Sequence, residues 1–293
     1  MHKKHIIYAA ALALALSGCA HKATETEKPI ITVSIEPQRA ILENLVGDRY
    51  TIQTMLSRGA DPETFDPTVA SRRMADNSDA YFSIGVFPFE ENLRQSLPEK
   101  TKYVDISAGI DRMYGTHGHS HAHTHAHTHS HGHEEADPHI WTSVANMKKV
   151  AANMTDALCT LDSADAKIYR DRLSILENHL DSLDSALGDK LNGTAAKSFA
   201  IWHPSLSYFA RDYGLKQISV GHESKEMPAK RLKAVIDSAR SENVTVLFFQ
   251  KEYDVRQAQS LNDAIGSRFV EIDPMAYDWE TELIKISDEL TRP

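Results

Sequence analysis

The chain has 293 residues, 41% of them hydrophobic and 25% charged, and a formal net charge of −9. That composition excludes a polytopic membrane protein, a collagen-like rod and a wholly disordered chain; two cysteines exclude a disulfide-stapled scaffold, and the acidic balance argues against nucleic acid as a partner. At about 100 to 150 residues for a common domain, the length suits two lobes, and the count out of line is histidine, at 16 residues.

The N-terminus has a basic start at Lys3 and Lys4, an apolar run from Ile6 to Leu16 and then small residues, the grammar of an export signal over residues 1–18. The run is too short for the roughly 20 residues of a membrane-spanning helix. Leu16-Ser17-Gly18-Cys19 resembles a bacterial lipobox, which implies cleavage before Cys19 and attachment to a membrane through lipid on that residue. Residues 19–29 then read as a polar, lipidated tether. With Cys19 engaged, Cys159 has no disulfide partner and reads as a buried thiol inside a helix.

The folded body opens with a β-branched run, Ile30 to Ile35, followed by helical spacing of Ile41, Leu42 and Leu45 within residues 37–46. Strand-like segments at 50–56, 80–84 and 103–106 alternate with helical ones at 69–79 and 89–97, and such alternation predicts a parallel sheet wrapped by helices. After a histidine tract, residues 164–191 carry Tyr169, Leu173, Leu176, Leu180, Leu183, Leu187 and Leu191 at spacings of three and four, one apolar stripe on a helix of roughly 40 Å. Strand-like segments at 198–202, 216–220, 244–249 and 269–272 then alternate with helical ones at 206–213, 228–241, 255–265 and 279–290. The expected architecture is α/β: two similar lobes, each a parallel sheet sandwiched by helices, joined by one long connecting helix. The boundaries expected are 30–160 for the N-terminal lobe with its histidine-rich loop at 116–133, 161–192 for the connecting helix and 193–293 for the C-terminal lobe.

In the tract, His117, His119, His121, His123, His125, His127, His129, His131 and His133 alternate with Gly, Ser, Ala and Thr, so nothing there forms a core. Alternate imidazoles of an extended chain lie about 6.6 to 7 Å apart, whereas two nitrogens on one tetrahedral zinc with bonds of about 2.0 Å approach to roughly 3.3 Å. The loop must fold around an ion, and ordering each residue costs about 1 to 2 kcal/mol. Many weak, exchanging sites follow: an auxiliary, low-affinity reservoir. A tight site needs ligands on rigid elements. His139 follows a proline turn in Asp137-Pro138-His139-Ile140-Trp141 and opens a helical segment; His203 ends an apolar strand in Ala200-Ile201-Trp202-His203-Pro204. Strand ends at a crevice are where open α/β sheets bind ligands.

Four segments in order resemble the solute-binding proteins of ABC importers for divalent transition metals, the zinc-uptake (ZnuA-type) group in particular: residues 59–67 (GADPETFDP), 137–141 (DPHIW), 203–209 with Tyr213-Gly214-Leu215, and Ile272-Asp273-Pro274-Met275. The resemblance covers nearly all of the mature chain, and a histidine-rich insertion ahead of DPHIW is typical of the zinc group. It implies one metal in a cleft between two lobes bridged by a long helix, with Glu63, His139, His203 and Asp273 as ligands. Glu252 and Glu271 are other carboxylates near the last position, which some zinc members leave to water. Glu63 departs from the family pattern, which has histidine there; a carboxylate ligates zinc at about 2.0 to 2.2 Å.

The function implied is an exported lipoprotein, facing the periplasm or cell exterior, that captures Zn2+ with high affinity and delivers it as a monomer to an ABC permease and its ATPase. Alternatives are a manganese- or iron-binding importer protein of the same family and a zinc-buffering or adhesin-like surface lipoprotein without a transporter. An enzyme is not expected. A zinc hydrolase wants an open metal position beside a general base, typically H-E-x-x-H, and the nearest match, His222-Glu223-Ser224-Lys225-Glu226, lacks the second histidine.

Overall fold

Strands and helices alternate along a computed structural model that describes residues 28–56, 59–114, 136–195, 197–220, 229–253 and 255–292. The export segment, Cys19, residues 20–27 of the tether, His117 to His133 and the His222–Glu226 segment lie outside the described residues. The first half holds β1 (Ile30–Val33), α1 (Glu36–Val46), β2 (Thr51–Thr54), α2 (Val69–Asp76), β3 (Ala80–Ser83), α3 (Pro88–Arg94) and β4 (Lys102–Asp105). A 3-10 turn, Ile140–Thr142, leads into α4 (Val144–Leu161) and α5 (Ala166–Asn192). The second half holds β5 (Ser198–Ile201), α6 (Ser207–Asp212), β6 (Lys216–Ser219), α7 (Ala229–Ser241), β7 (Val246–Gln250), α8 (Val255–Ile265), β8 (Arg268–Ile272) and α9 (Trp279–Thr291).

Each half forms one four-stranded sheet, ordered β2-β1-β3-β4 and β6-β5-β7-β8, with every pairing parallel. The two lobes therefore share one topology, as expected. Period-two alternation divides the second sheet between two cores. Phe199, Ile201, Val246 and Phe248 join the large core that also contains β1, β3, α4 and α5, while Ala200, Leu247 and Phe249 face a smaller one with Ala239, Ala258 and Leu261 of α7 and α8. Both faces are covered, which is the condition under which parallel strands can be apolar throughout.

Helix α5 buries Tyr169, Leu176, Leu180, Leu183, Leu187 and Leu191 of the expected stripe, with Leu173 half-buried against the same core. Near its start Arg172 donates to the Leu45 carbonyl at the end of α1 at 3.3 Å, and Asp165 pairs with Arg49. Further along, His179 meets Glu280 of α9 at 2.6 Å and Lys190 pairs with Asp288. One helix thus touches both lobes. It does not stand alone: α4 packs along it and buries Val144, Met147, Val150, Ala151, Met154 and Leu158. Cys159, expected to be buried, is half-buried in α4, with its sulfur 3.6 Å from the Ala166 carbonyl. Helix α2 stops at Asp76 rather than Asp79, because Asp79 is drawn into pairing with Ile30 through its amide at 2.9 Å and its carboxylate at 2.7 Å. Among the described residues no helix is long and apolar enough to cross a membrane.

Gly47 ends α1 with φ +61, and a Cβ there would lie 2.4 Å from an Arg172 nitrogen. Replacing it with alanine forces a backbone region nearly reserved for glycine and displaces the arginine that ties α5 to α1. Gly47→Ala should destabilise the metal-free protein by about 1 to 3 kcal/mol, measured by urea unfolding.

Candidate metal centre

The four residues singled out in the sequence all stand in loops beyond the carboxyl ends of strands: Glu63 after β2, His139 after β4, His203 after β5 and Asp273 after β8. Open α/β sheets present their loops for binding at this edge. Each loop is stiffened locally. Gly59 takes φ +78, and Asp61 accepts the Glu63 amide at 3.0 Å and the Thr64 hydroxyl at 3.1 Å, an Asx turn that aims the Glu63 side chain. Phe65 then packs edge-on against Phe89 of α3, with centroids 5.1 Å apart. At His139 the fully buried Asp137 carboxylate accepts both the backbone N–H and Nδ1, each at 2.9 Å. The His203 backbone is held by Gln250, the last residue of β7, whose amide donates to the His203 carbonyl at 3.2 Å and to the Ser205 hydroxyl at 2.7 Å.

Three ligand-type atoms converge. Nε2 of His139 and Nε2 of His203 are 3.1 Å apart, and Glu63 Oε1 lies 3.6 Å from the first and 3.5 Å from the second. Tetrahedral zinc with bonds of about 2.0 Å separates its ligand atoms by roughly 3.3 Å, so this triangle has the dimensions of one face of such a tetrahedron. It is the one group of three or more His, Cys, Asp and Glu ligand atoms within 4.8 Å of one another among the described residues. Asp273 lines the same small cavity, of about 30 Å³, together with Trp141, His139 and His203, but is not a member of that triangle. Its carboxylate instead faces Lys251 at 3.3 Å and accepts the Met275 amide at 3.2 Å. Glu252 also lines the cavity, and Glu271 is a residue of β8.

The local charges favour a cation. Burial pushes the His139 imidazole down, but the Asp137 hydrogen bond and the charges of Asp137, Glu63 and Asp61 outweigh it, and the pKa is raised. With Nδ1 donating to Asp137, the lone pair of a neutral His139 sits on Nε2, facing His203 and Glu63. Burial, together with the charges of Asp273 and Glu271, likewise holds the Glu252 carboxyl above its usual range. Aromatic rings back both imidazoles: Trp141 at 5.1 Å from His139 and Tyr253 stacked at 4.9 Å on His203. The Trp141 indole donates across the cleft to the Pro274 carbonyl at 2.9 Å.

Sequence reasoning did not assign roles to Asp137, Gln250 or Tyr253. Asp137 had a legible signal, an acid two residues before a histidine with proline between. Gln250 had none, since its partners lie 47 and 45 residues away in the chain.

Comparison with known proteins bears on the same fold. The zinc-binding lipoprotein AdcA of Streptococcus pneumoniae strain R6 is 25% identical over 285 residues, which is 94% of this chain and 56% of that one, so the chain spans about half the length of this relative. The high-affinity zinc uptake system protein ZnuA of Bacillus subtilis strain 168 is 27% identical over 274 residues, 88% of this chain and 84% of that one. A crystal structure of ZnuA superposes with a TM-score of 0.80 at 29% identity, covering 90% of this chain and 98% of that one. The family profile described as zinc-uptake complex component A, periplasmic, matches residues 31–286. Two parallel-sheet lobes, the long helix and this match over most of the length place the chain in the zinc-uptake complex component A family, the ZnuA-type solute-binding proteins.

Proposed function

We propose that the protein captures zinc with high affinity outside the cytoplasm and passes it to an ABC permease driven by its ATPase. In this reading Glu63, His139 and His203 ligate the ion, and Asp273 or a water completes the tetrahedron. The observation that carries it is the triangle of two imidazole nitrogens and one carboxylate oxygen with edges of 3.1 to 3.6 Å. The names of the relatives, a zinc-binding lipoprotein and a high-affinity zinc uptake protein, support it. Lipid on Cys19 holds the protein at a membrane surface, facing the periplasm or exterior, and it works as a monomer. The histidines from His117 to His133 form a low-affinity reservoir beside the tight site. Ligand affinity for zinc exceeds that for manganese in nearly any nitrogen and oxygen set. The second reading, a manganese or iron cargo, rests on the oxygen that Glu63 contributes where the family pattern has nitrogen.

Three experiments test the proposal. A strain lacking this protein should grow poorly under zinc chelation and recover with added zinc or with the wild-type gene, but not with His203→Ala; normal growth of the deletion strain in every limiting condition removes the importer role and leaves a buffer. In purified protein, Glu63→Ala should weaken zinc binding at least tenfold while Glu63→His preserves it, as read by chelator competition. Deleting residues 117–133 should lower the number of ions bound without weakening the tight site.

Zinc must displace the proton from each imidazole, so its affinity falls with pH. Protonated His139 among Asp137, Glu63 and Asp61 stabilises the metal-free fold. With a folded pKa raised above the ordinary value of about 6.5, this stability is complete below pH 6.5 and is lost as pH rises through the raised value. In thermal melts from pH 5.5 to 8.5, the chelator-treated protein should lose stability over the upper part of the range. The increment from zinc should grow in step.

A further inference from the structure

The segments flanking the histidine-rich stretch meet as an antiparallel pair. Tyr114 bridges Ala136, and the Asp137 amide donates to the Met113 carbonyl at 2.8 Å. Residues that face each other in a hydrogen-bonded antiparallel pair ordinarily exchange both bonds. Here the second bond is interrupted. The Met113 amide donates to the Tyr208 hydroxyl at 3.1 Å, and that hydroxyl donates to the Asp137 carbonyl at 3.0 Å. A side chain of α6, from the other lobe, is inserted into the rung and satisfies one donor and one acceptor.

The insertion is well fixed. The Tyr208 ring is fully buried, and the Arg211 guanidinium lies 5.0 Å from its centroid. Burial raises the phenol pKa, so the oxygen keeps its proton and can donate. The two ends of the rung lead to the two imidazoles. Asp137 holds His139 through its backbone amide and Nδ1. Tyr208 stands on the helix that follows the His203-Pro204-Ser205 turn, whose Leu206 amide is anchored by Gln217 at 2.9 Å.

We infer that Tyr208 is a positioning residue for the metal centre: its hydroxyl spaces Asp137 from α6, and so sets His139 against His203 at the observed 3.1 Å. The inference rests on the proposed ligation of zinc by Glu63, His139 and His203. Without the hydroxyl, the Met113 amide and the Asp137 carbonyl are free to pair directly. That draws Asp137 toward Met113 and moves His139 off the triangle.

Tyr208→Phe removes the oxygen and keeps the ring. Zinc affinity is measured on the full chain by chelator competition, and ligand geometry by the visible spectrum of the cobalt form. The expected result is a loss of affinity of about tenfold, the low end for lost partners of metal ligands, with an altered cobalt spectrum and unchanged circular dichroism. Tyr213→Phe is the control, since its hydroxyl, at the end of the same helix, bonds Asp184 at 2.7 Å and touches neither histidine segment. It should leave affinity and spectrum as they are. An unchanged Tyr208→Phe protein, or equal losses in both variants, overturns the inference while leaving the ligand assignment standing. If His139→Ala and His203→Ala bind zinc as tightly as the parent chain, the ligand assignment fails and the inference falls with it.

Discussion

Three ligand-type atoms are held within 3.6 Å of one another, and they come from two different lobes. Neutral imidazoles can share one Nε2–H across the 3.1 Å contact, and the nearby Glu63 oxygen suits the trio to a positive charge, a proton or a metal ion. The surrounding groups sharpen this demand: Asp137 fixes the tautomer of His139, and Asp61 and Glu63 add negative charge beside it. In the proposed reading a tetrahedral ion engages all three atoms at once, which a single shared proton does not.

Holding the trio is the task of the fold. Each of the three residues sits in a loop beyond the carboxyl end of a strand, held locally by a neighbouring side chain: Asp61 at Glu63, Asp137 at His139 and Gln250 at His203. The aromatic packing is layered behind them: Phe65 on Phe89, Phe87 on Trp141, Trp141 beside His139. Directed bonds register the lobes against each other, among them the Trp141 indole to Pro274, the Tyr277 hydroxyl to Glu43 and the Tyr208 hydroxyl between Met113 and Asp137. With orientation supplied in advance, little ordering entropy would be charged against binding of the proposed ion.

Much of this was legible in the sequence, for identifiable reasons. The runs at Ile30 and Val246 are β-branched or aromatic and short, and the leucine stripe of α5 repeats at helical spacing, so local pattern and tertiary role agree. Helix α4 was less audible because its buried face mixes Met147, Ala151 and Met154 with Val150, a weaker contrast than a row of leucines. His139 and His203 stood out because each borders a proline at an element boundary. Glu63 was reached by resemblance alone, and the geometry puts its oxygen with the two imidazoles. Asp273 was reached in the same way, yet its carboxylate faces Lys251, a neighbour that only the pairing of β7 with β8 brings near. Bonds such as Tyr208 to Asp137 join residues 71 apart, and no periodicity encodes them.

The large core runs without interruption from β1 and β3 through α4 and α5 to β5 and β7. A cleft whose two walls share one interior cannot swing wide without exposing that interior to water, at a cost of about 25 cal/mol for each Å² of apolar surface. Under the proposed ligation of zinc, release would then depend more on the torsions of Glu63, His139 and His203 than on a wide hinge. In that proposed role, unloading would be a stepwise exchange of ligands, with a receiving protein offering replacement donors to an ion that is still partly held.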